Sequence, residues 1–232
     1  MKKETRIKSL LDAGKDYYER GKYESATQKF LDALELDSEN AETLYYLGIV
    51  YARQGKYEEA VDYLQKVRDS GLPALFKVHT EMILGYIYTI QERYEEALSI
   101  FRKVIEGGIE SAQAYAAIGY IYDRLGNFKE AVLNLYRAIE IDPNNANAHN
   151  SLGYIYAESN MNLEEALNEC RKAVSLDREN PAYLDSLGWV YYKLGDVSQA
   201  KSYLKKALKK APNNDEIKHH MRVVMAEAGK EL

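Results

Sequence analysis

Six glycines, spaced 34 to 37 residues apart, constrain this chain more than any other feature of its sequence. A tyrosine follows three residues after each glycine, and an alanine follows twelve residues after it, or thirteen in the fifth copy. The glycines are Gly14, Gly48, Gly85, Gly119, Gly153 and Gly188. Recurrence at such a period is the signature of a repeat architecture, in which each unit packs mainly on its neighbours.

Each copy contains two apolar runs with the three- and four-residue spacing of an amphipathic helix. With the glycine at position 8 of a unit, the apolar positions are 4, 7 and 11, and then 17, 20, 24 and 27. A second glycine separates the runs in four copies, at Gly21, Gly55, Gly126 and Gly195. Glycine readily takes the left-handed conformation that ends a helix, so each copy is predicted to be a helical hairpin. In the fifth copy we expect Asn160 to take that role.

The glycine at position 8 and the alanine at position 20 predict a close seam between the two helices of a hairpin. Glycine inside a helix costs about 1 kcal/mol relative to alanine. Six such glycines therefore indicate that close packing at the seam outweighs helix propensity.

Counting from these glycines gives six units, at 7–40, 41–77, 78–111, 112–145, 146–180 and 181–214. Pairs such as Leu47-Gly48 and Leu152-Gly153, with tyrosine at position 11, alanine at 20 and Phe30 or Phe101 at 24, resemble the tetratricopeptide (TPR) repeat. The resemblance covers about nine-tenths of the chain. It implies an all-α fold, an α-solenoid of six TPR helix-turn-helix repeats that form a right-handed superhelix.

The segments around the six units carry separate expectations. Residues 1–6 are expected to be a frayed N-terminal extension, and residues 215–232 a capping helix and tail that cover the core of the last hairpin. Residues 69–76 hold three extra residues, which we interpret as a hinge or a tolerated loop. Gly107 and Gly108 replace the usual Asp-Pro linker and are expected to loosen the joint after the third unit.

Charge and composition exclude several classes of partner. The net charge of −5 gives no footprint of a nucleic-acid binder. Residues 194–232 carry a net +3 and the rest −8, which leaves a homo-oligomer open beside a simple solvated face. No long apolar window predicts membrane insertion. A single cysteine fits a reducing compartment, so a cytoplasmic location is expected, with a removed N-terminal signal left open.

Nothing in the sequence predicts catalysis, a cofactor or a metal site. None of the four histidines has a histidine or cysteine three or four residues away on the same helical face. His149 and Cys170 fall on the apolar positions 4 and 24 and are predicted to be packed residues. No glycine-rich loop for phosphate is present. We therefore expect a protein that is not an enzyme.

In the TPR family, positions 2, 5, 9, 12 and 13 of the first helix line a concave groove that receives ligands. Position 9 carries an aromatic ring in each of the last four units, and such rings offer a large contact area with a polar tip. The alternative is that position 9 packs against the neighbouring unit. The residues expected to bind a partner are Tyr45, Ile49, Met82, Tyr86, Tyr120, Asn150, Tyr154, Asp185, Trp189 and Tyr192.

The resulting hypothesis is a non-enzymatic adaptor that binds a peptide or a helix of a partner protein in an aromatic-lined groove. The alternative is a self-assembling scaffold for a bacterial envelope, pilus or organelle assembly. That alternative follows from the uneven charge and from the sixth unit, which is similar to the closing repeats of bacterial TPR proteins of this kind. The sequence does not identify the partner.

Overall fold

The computed structural model describes residues 3–228, and this part of the chain forms thirteen α-helices and no strand. The all-α prediction is confirmed. The helices are α1 (Lys3–Glu19), α2 (Tyr23–Leu36), α3 (Ala41–Arg53), α4 (Tyr57–Arg68), α5 (Ala74–Ile90), α6 (Tyr94–Glu106), α7 (Ala112–Arg124), α8 (Phe128–Ile141), α9 (Ala146–Glu158), α10 (Leu163–Leu176), α11 (Pro181–Lys193), α12 (Val197–Lys210) and α13 (Asp215–Ala228).

The chain divides into two compact units, Met1–Ile109 and Glu110–Leu232. Within the first unit, α1, α3 and α5 each pack on the helix that follows, and α3 also contacts α1 and α5. Within the second unit, α7, α9 and α11 pair with α8, α10 and α12 in the same way, and α9 contacts both α7 and α11. The division lies next to Gly107 and Gly108.

Four of the first helices, α3, α7, α9 and α11, begin at side-chain caps. The Asn145 side chain accepts a hydrogen bond from the Ala148 amide at 3.0 Å. Asn180 caps α11, with Pro181 at the first helical position. Both caps satisfy amide groups that have no partner inside the helix.

Left-handed residues end the first helix of each hairpin. Gly126 has φ +73°, and Asn160 takes the same conformation at φ +53°, so the role predicted for the asparagine is confirmed. The third hairpin uses Glu92 at φ +58°. The remaining turn glycines with positive φ are Gly21, Gly55 and Gly195.

The helices of each hairpin meet at the predicted seam. A methyl group on Gly153 would lie 2.5 Å from the Cys170 sulfur and 2.9 Å from the Ala166 carbonyl oxygen. On Gly119 it would lie 2.7 Å from Leu135 Cγ. All six position-8 glycines show such contacts below 3.0 Å, and all six position-20 alanines are fully buried. The seam therefore has no room for a side chain.

Two boundaries differ from the sequence-based expectation. Residues 3–6 of the expected N-terminal extension form the first turn of α1, while residues 1 and 2 lie outside the described range. Helix α5 begins at Ala74, so only residues 69–73 of the expected loop are outside a helix. The hinge at this loop stays a prediction.

Helix α13 covers the last hairpin, and its C-terminal tail at 229–232 lies outside the described residues. Ile217 and Val224 of α13 are buried in the core beside α12. The helix also reaches α11, where the buried His220 donates a hydrogen bond from Nδ1 to the Asp185 carboxylate at 2.9 Å. The His220 ring stacks on Trp189 with 4.2 Å between ring centroids. The cap is therefore held by a buried polar pair as well as by apolar packing.

Replacing Gly153 by alanine is expected to lower the free energy of unfolding by about 1–3 kcal/mol, because the added methyl meets backbone atoms that cannot move aside. The gain in helix propensity of about 1 kcal/mol does not offset this. Urea unfolding measures the difference. Gly71→Ala is the matched control, since a methyl there meets nothing within 4 Å, and it should be neutral. An equally neutral Gly153→Ala would contradict the close seam.

Replacing His220 by alanine is expected to lower the free energy of unfolding by about 1–3 kcal/mol, because it leaves the buried Asp185 carboxylate without its hydrogen-bond donor. Trp189 is the single tryptophan, so its fluorescence emission should also shift to longer wavelength as water reaches the ring. His219→Ala, at the exposed neighbouring residue, should change stability by less than about 0.5 kcal/mol. Equal losses in the two variants would mean that the pair does not hold α13.

Candidate functional site

In the unit at 110–232, the predicted groove residues lie on the adjacent helices α7, α9 and α11. Tyr120, Tyr154 and Trp189 occupy the same position of three consecutive hairpins. We call the face that they share the inner wall. Its residues are Tyr120, Asp123, Asn150, Tyr154, Glu158, Asp185, Trp189, Tyr192 and Lys193.

The inner wall is closed at α11, which corrects the expectation of an exposed tryptophan. Trp189 is only 8% exposed and Asp185 is buried as well. His220 of α13 covers them, and the half-buried Tyr192 stacks on Trp189 at 5.0 Å. The indole nitrogen of Trp189 donates a hydrogen bond to Glu158 at 2.5 Å. Trp189 therefore supports the wall and does not offer a free ring.

Two residues of α13 contribute to the inner wall and were missed from the sequence. Besides His220, Glu216 accepts a hydrogen bond from the Tyr154 hydroxyl at 3.2 Å. The signal was present, because extending the 34-residue period past residue 214 places Glu216 and His220 at positions 2 and 6 of a further first helix.

The inner wall is open at α7. Tyr120 is 42% exposed, and Tyr154 next to it is half-buried. Burial, with the neighbouring Glu158 and Glu216 carboxylates, raises the pKa of Tyr154, so its hydroxyl remains a hydrogen-bond donor at neutral pH. The side-chain oxygen of Asn150 is buried and has no hydrogen-bond partner among the described residues. A buried acceptor of this kind normally has a partner.

Carboxylates gather around Tyr154. Burial raises the pKa of Asp123, Arg124 lowers it, and Glu158 and Glu216 raise it further. The Lys193 ammonium lies 4.0 Å from Glu158. The inner wall thus combines aromatic rings with acidic side chains, partly balanced by two cations.

In the unit at 1–109, most of the predicted groove residues are covered. Tyr45 and Ile49 are each 8% exposed, so the expectation that they are accessible is wrong. The start of α5 lies over Tyr45. The Phe76 and Tyr45 rings pack with 4.8 Å between their centroids, and the Tyr45 hydroxyl lies 2.5 Å from His79 Nδ1. Met82 is partly buried, and Tyr86 is 40% exposed.

The described residues show no arrangement for metal chemistry, since none of their His, Cys, Asp and Glu side chains form a group of three that could hold an ion. Cys170 is buried, and burial raises the pKa of its thiol. His149 is buried between Glu169 and the Pro143 carbonyl oxygen. The prediction that both are packed residues is confirmed. None of the helices within residues 3–228 combines the length and hydrophobicity of a membrane span.

Sequence models of tetratricopeptide repeats match most of the chain. A TPR repeat model matches residues 14–55 and 119–160. Three further tetratricopeptide repeat models match the chain. One matches residues 181–214, the second matches residues 42–70, and the third matches both residues 82–106 and residues 146–180. A TPR repeat-containing protein of Pseudomonas aeruginosa is 35% identical over 63 residues, which are 27% of this chain and 11% of that protein. The chain thus spans about a tenth of that relative.

Solved TPR structures share the fold at low identity. A chain of the APC/C hetero-tetramer Cut9–Hcn1 matches with a TM-score of 0.80 at 13% identity, over 94% of this chain and 42% of that one. PilF of Pseudomonas aeruginosa matches with a TM-score of 0.74 at 17% identity, over 97% of this chain and 99% of that one. YrrB matches with a TM-score of 0.51 at 23% identity, over 83% of this chain and 97% of that one. Together with the sequence matches, these findings show that the chain belongs to the tetratricopeptide repeat family, whose repeats typically form scaffolds for protein–protein interaction.

Proposed function

We propose that this chain is a non-enzymatic adaptor that binds an extended peptide or a helix of a partner protein at the α7–α9 part of the inner wall. The observation that carries the proposal is the exposed Tyr120 ring on the same face as the half-buried Tyr154 of the neighbouring first helix. The proposed site is smaller than the groove expected from the sequence, because α13 covers the α11 end.

The chemistry of these residues suits a polypeptide ligand. Tyrosine contributes a large apolar area and a hydroxyl at a low cost in conformational entropy. A partner that covers Tyr120 and Tyr154 would bury apolar surface of both rings, which gives affinity.

The comparisons support this proposal only at the level of the fold. YrrB is described as a TPR protein with an unusual peptide-binding site, so a fold of this kind can hold a peptide. PilW is described as a type IV pilus biogenesis factor, and it shares 17% identity with this chain.

The self-assembling scaffold and the cytoplasmic location stay predictions. Light scattering at several salt concentrations tests self-assembly, which a monomer that is insensitive to salt would contradict.

Truncation of Tyr120 or of Tyr154 is expected to weaken peptide binding. A random peptide library displayed on phage is selected against the full chain, and the recovered peptides are measured against Tyr120→Ala and Tyr154→Ala. Each variant should lose about 2 kcal/mol or more of binding free energy, or about thirtyfold in Kd, because central aromatic residues dominate such interfaces.

Tyr136→Ala is the matched control for binding, since Tyr136 is 43% exposed but lies on α8, outside the inner wall. It should leave peptide affinity unchanged. Circular dichroism should show a melting temperature close to wild type for Tyr120→Ala. Selection of no peptide, or of peptides that bind the Tyr120 and Tyr154 variants as well as wild type, would contradict the proposed site.

A further inference from the structure

Helix α12 carries an unusual concentration of positive charge. It has no carboxylate, and its five lysines are Lys201, Lys205, Lys206, Lys209 and Lys210. Three pairs of these lysines are four residues apart, a spacing at which like charges on a helix repel. The rest of the chain before residue 194 carries a net charge of −8, so the positive charge is local.

A cleft between α10 and α12 gathers part of this charge. It has a volume of about 440 Å³ and is lined by Arg171, Arg178 and Lys206. Its apolar side includes Val174, and its single lining carboxylate belongs to Glu179. The Glu179 carboxylate forms an ion pair with Lys210, which does not line the cleft. The charges of the three cations are therefore not balanced by a carboxylate inside the cleft.

Two of the three cations rest on a stacked pair of tyrosines. The Arg171 guanidinium donates a hydrogen bond to the Tyr191 hydroxyl at 2.8 Å. Tyr191 stacks on Tyr203 with 5.5 Å between centroids, and the Lys206 ammonium lies 4.7 Å from the Tyr203 ring centroid. Contacts with the ring faces restrict both side chains before any ligand arrives.

We propose that this cleft is a second binding site, for an acidic segment of a partner protein that places carboxylates against Arg178 and Lys206 and an apolar side chain against Val174. It lies on the second helices of the last two TPR repeats, whereas the inner wall lies on the first helices, so it does not rest on the proposed function. Charge-assisted hydrogen bonds to carboxylates supply the affinity. The net negative charge elsewhere directs such a segment to this place.

A peptide fits these features better than an anionic membrane does. Arg178 and Lys206 are exposed at the cleft, and the half-buried Val174 lines it beside them. These neighbours favour a ligand that carries an apolar side chain next to its carboxylates, as a polypeptide does.

The test is fluorescence anisotropy of the full chain with a short fluorescein-labelled peptide rich in glutamate and leucine. Wild type should bind it, and the same peptide with glutamine in place of glutamate should not bind. The double variant Arg178→Gln/Lys206→Gln should weaken binding about tenfold or more, as loss of charge-assisted hydrogen bonds implies.

The double variant Lys205→Gln/Lys209→Gln is the matched control, because it removes the same charge from the same region outside the cleft. It should weaken binding by less than about threefold. Equal losses in the two double variants, or no binding of the peptide by wild type, would overturn the proposal. Binding of phosphatidylserine vesicles that depends on Lys205 and Lys209, without peptide binding, would also overturn it and assign the charge to a membrane surface.

Discussion

The structure depends on close packing at the six hairpin seams, where each position-8 glycine lies against a side chain of the second helix. At Gly153 an added methyl group would lie 2.5 Å from the Cys170 sulfur and 2.9 Å from the Ala166 carbonyl oxygen. Dense packing of this kind tolerates little added volume. The first helices α7, α9 and α11 carry the inner wall, which is open at Tyr120 and closed at Trp189.

Repetition also explains why part of the inner wall is covered. Each first helix places side chains against the first helix before it, and α13 behaves as one more member of the series. Glu216 and His220 thus contact Tyr154, Asp185 and Trp189. At α7, by contrast, Tyr120 is 42% exposed. The capping helix therefore supports the repeats and at the same time limits the surface available to a partner.

Much of the fold could be predicted from the sequence, because the deciding interactions lie within one repeat. The contact of Gly153 with Cys170 spans 17 residues, and the left-handed Asn160 is a local property of its turn. The accessibility of the site could not be predicted in the same way. Trp189 is covered by His220 and Tyr45 by Phe76, each 31 residues later in the chain. Helical periodicity tells which face a residue occupies but not what lies over that face.

Packing between repeats decides which aromatic rings meet solvent. Hydroxyl-radical footprinting with mass spectrometry measures this for individual side chains of the intact protein. Tyr120 and Tyr86 should be modified rapidly, whereas Tyr45 and Trp189 should be strongly protected until the chain unfolds. If Trp189 in the folded protein were modified as fast as Tyr120, packing between repeats would not control the exposure of these rings.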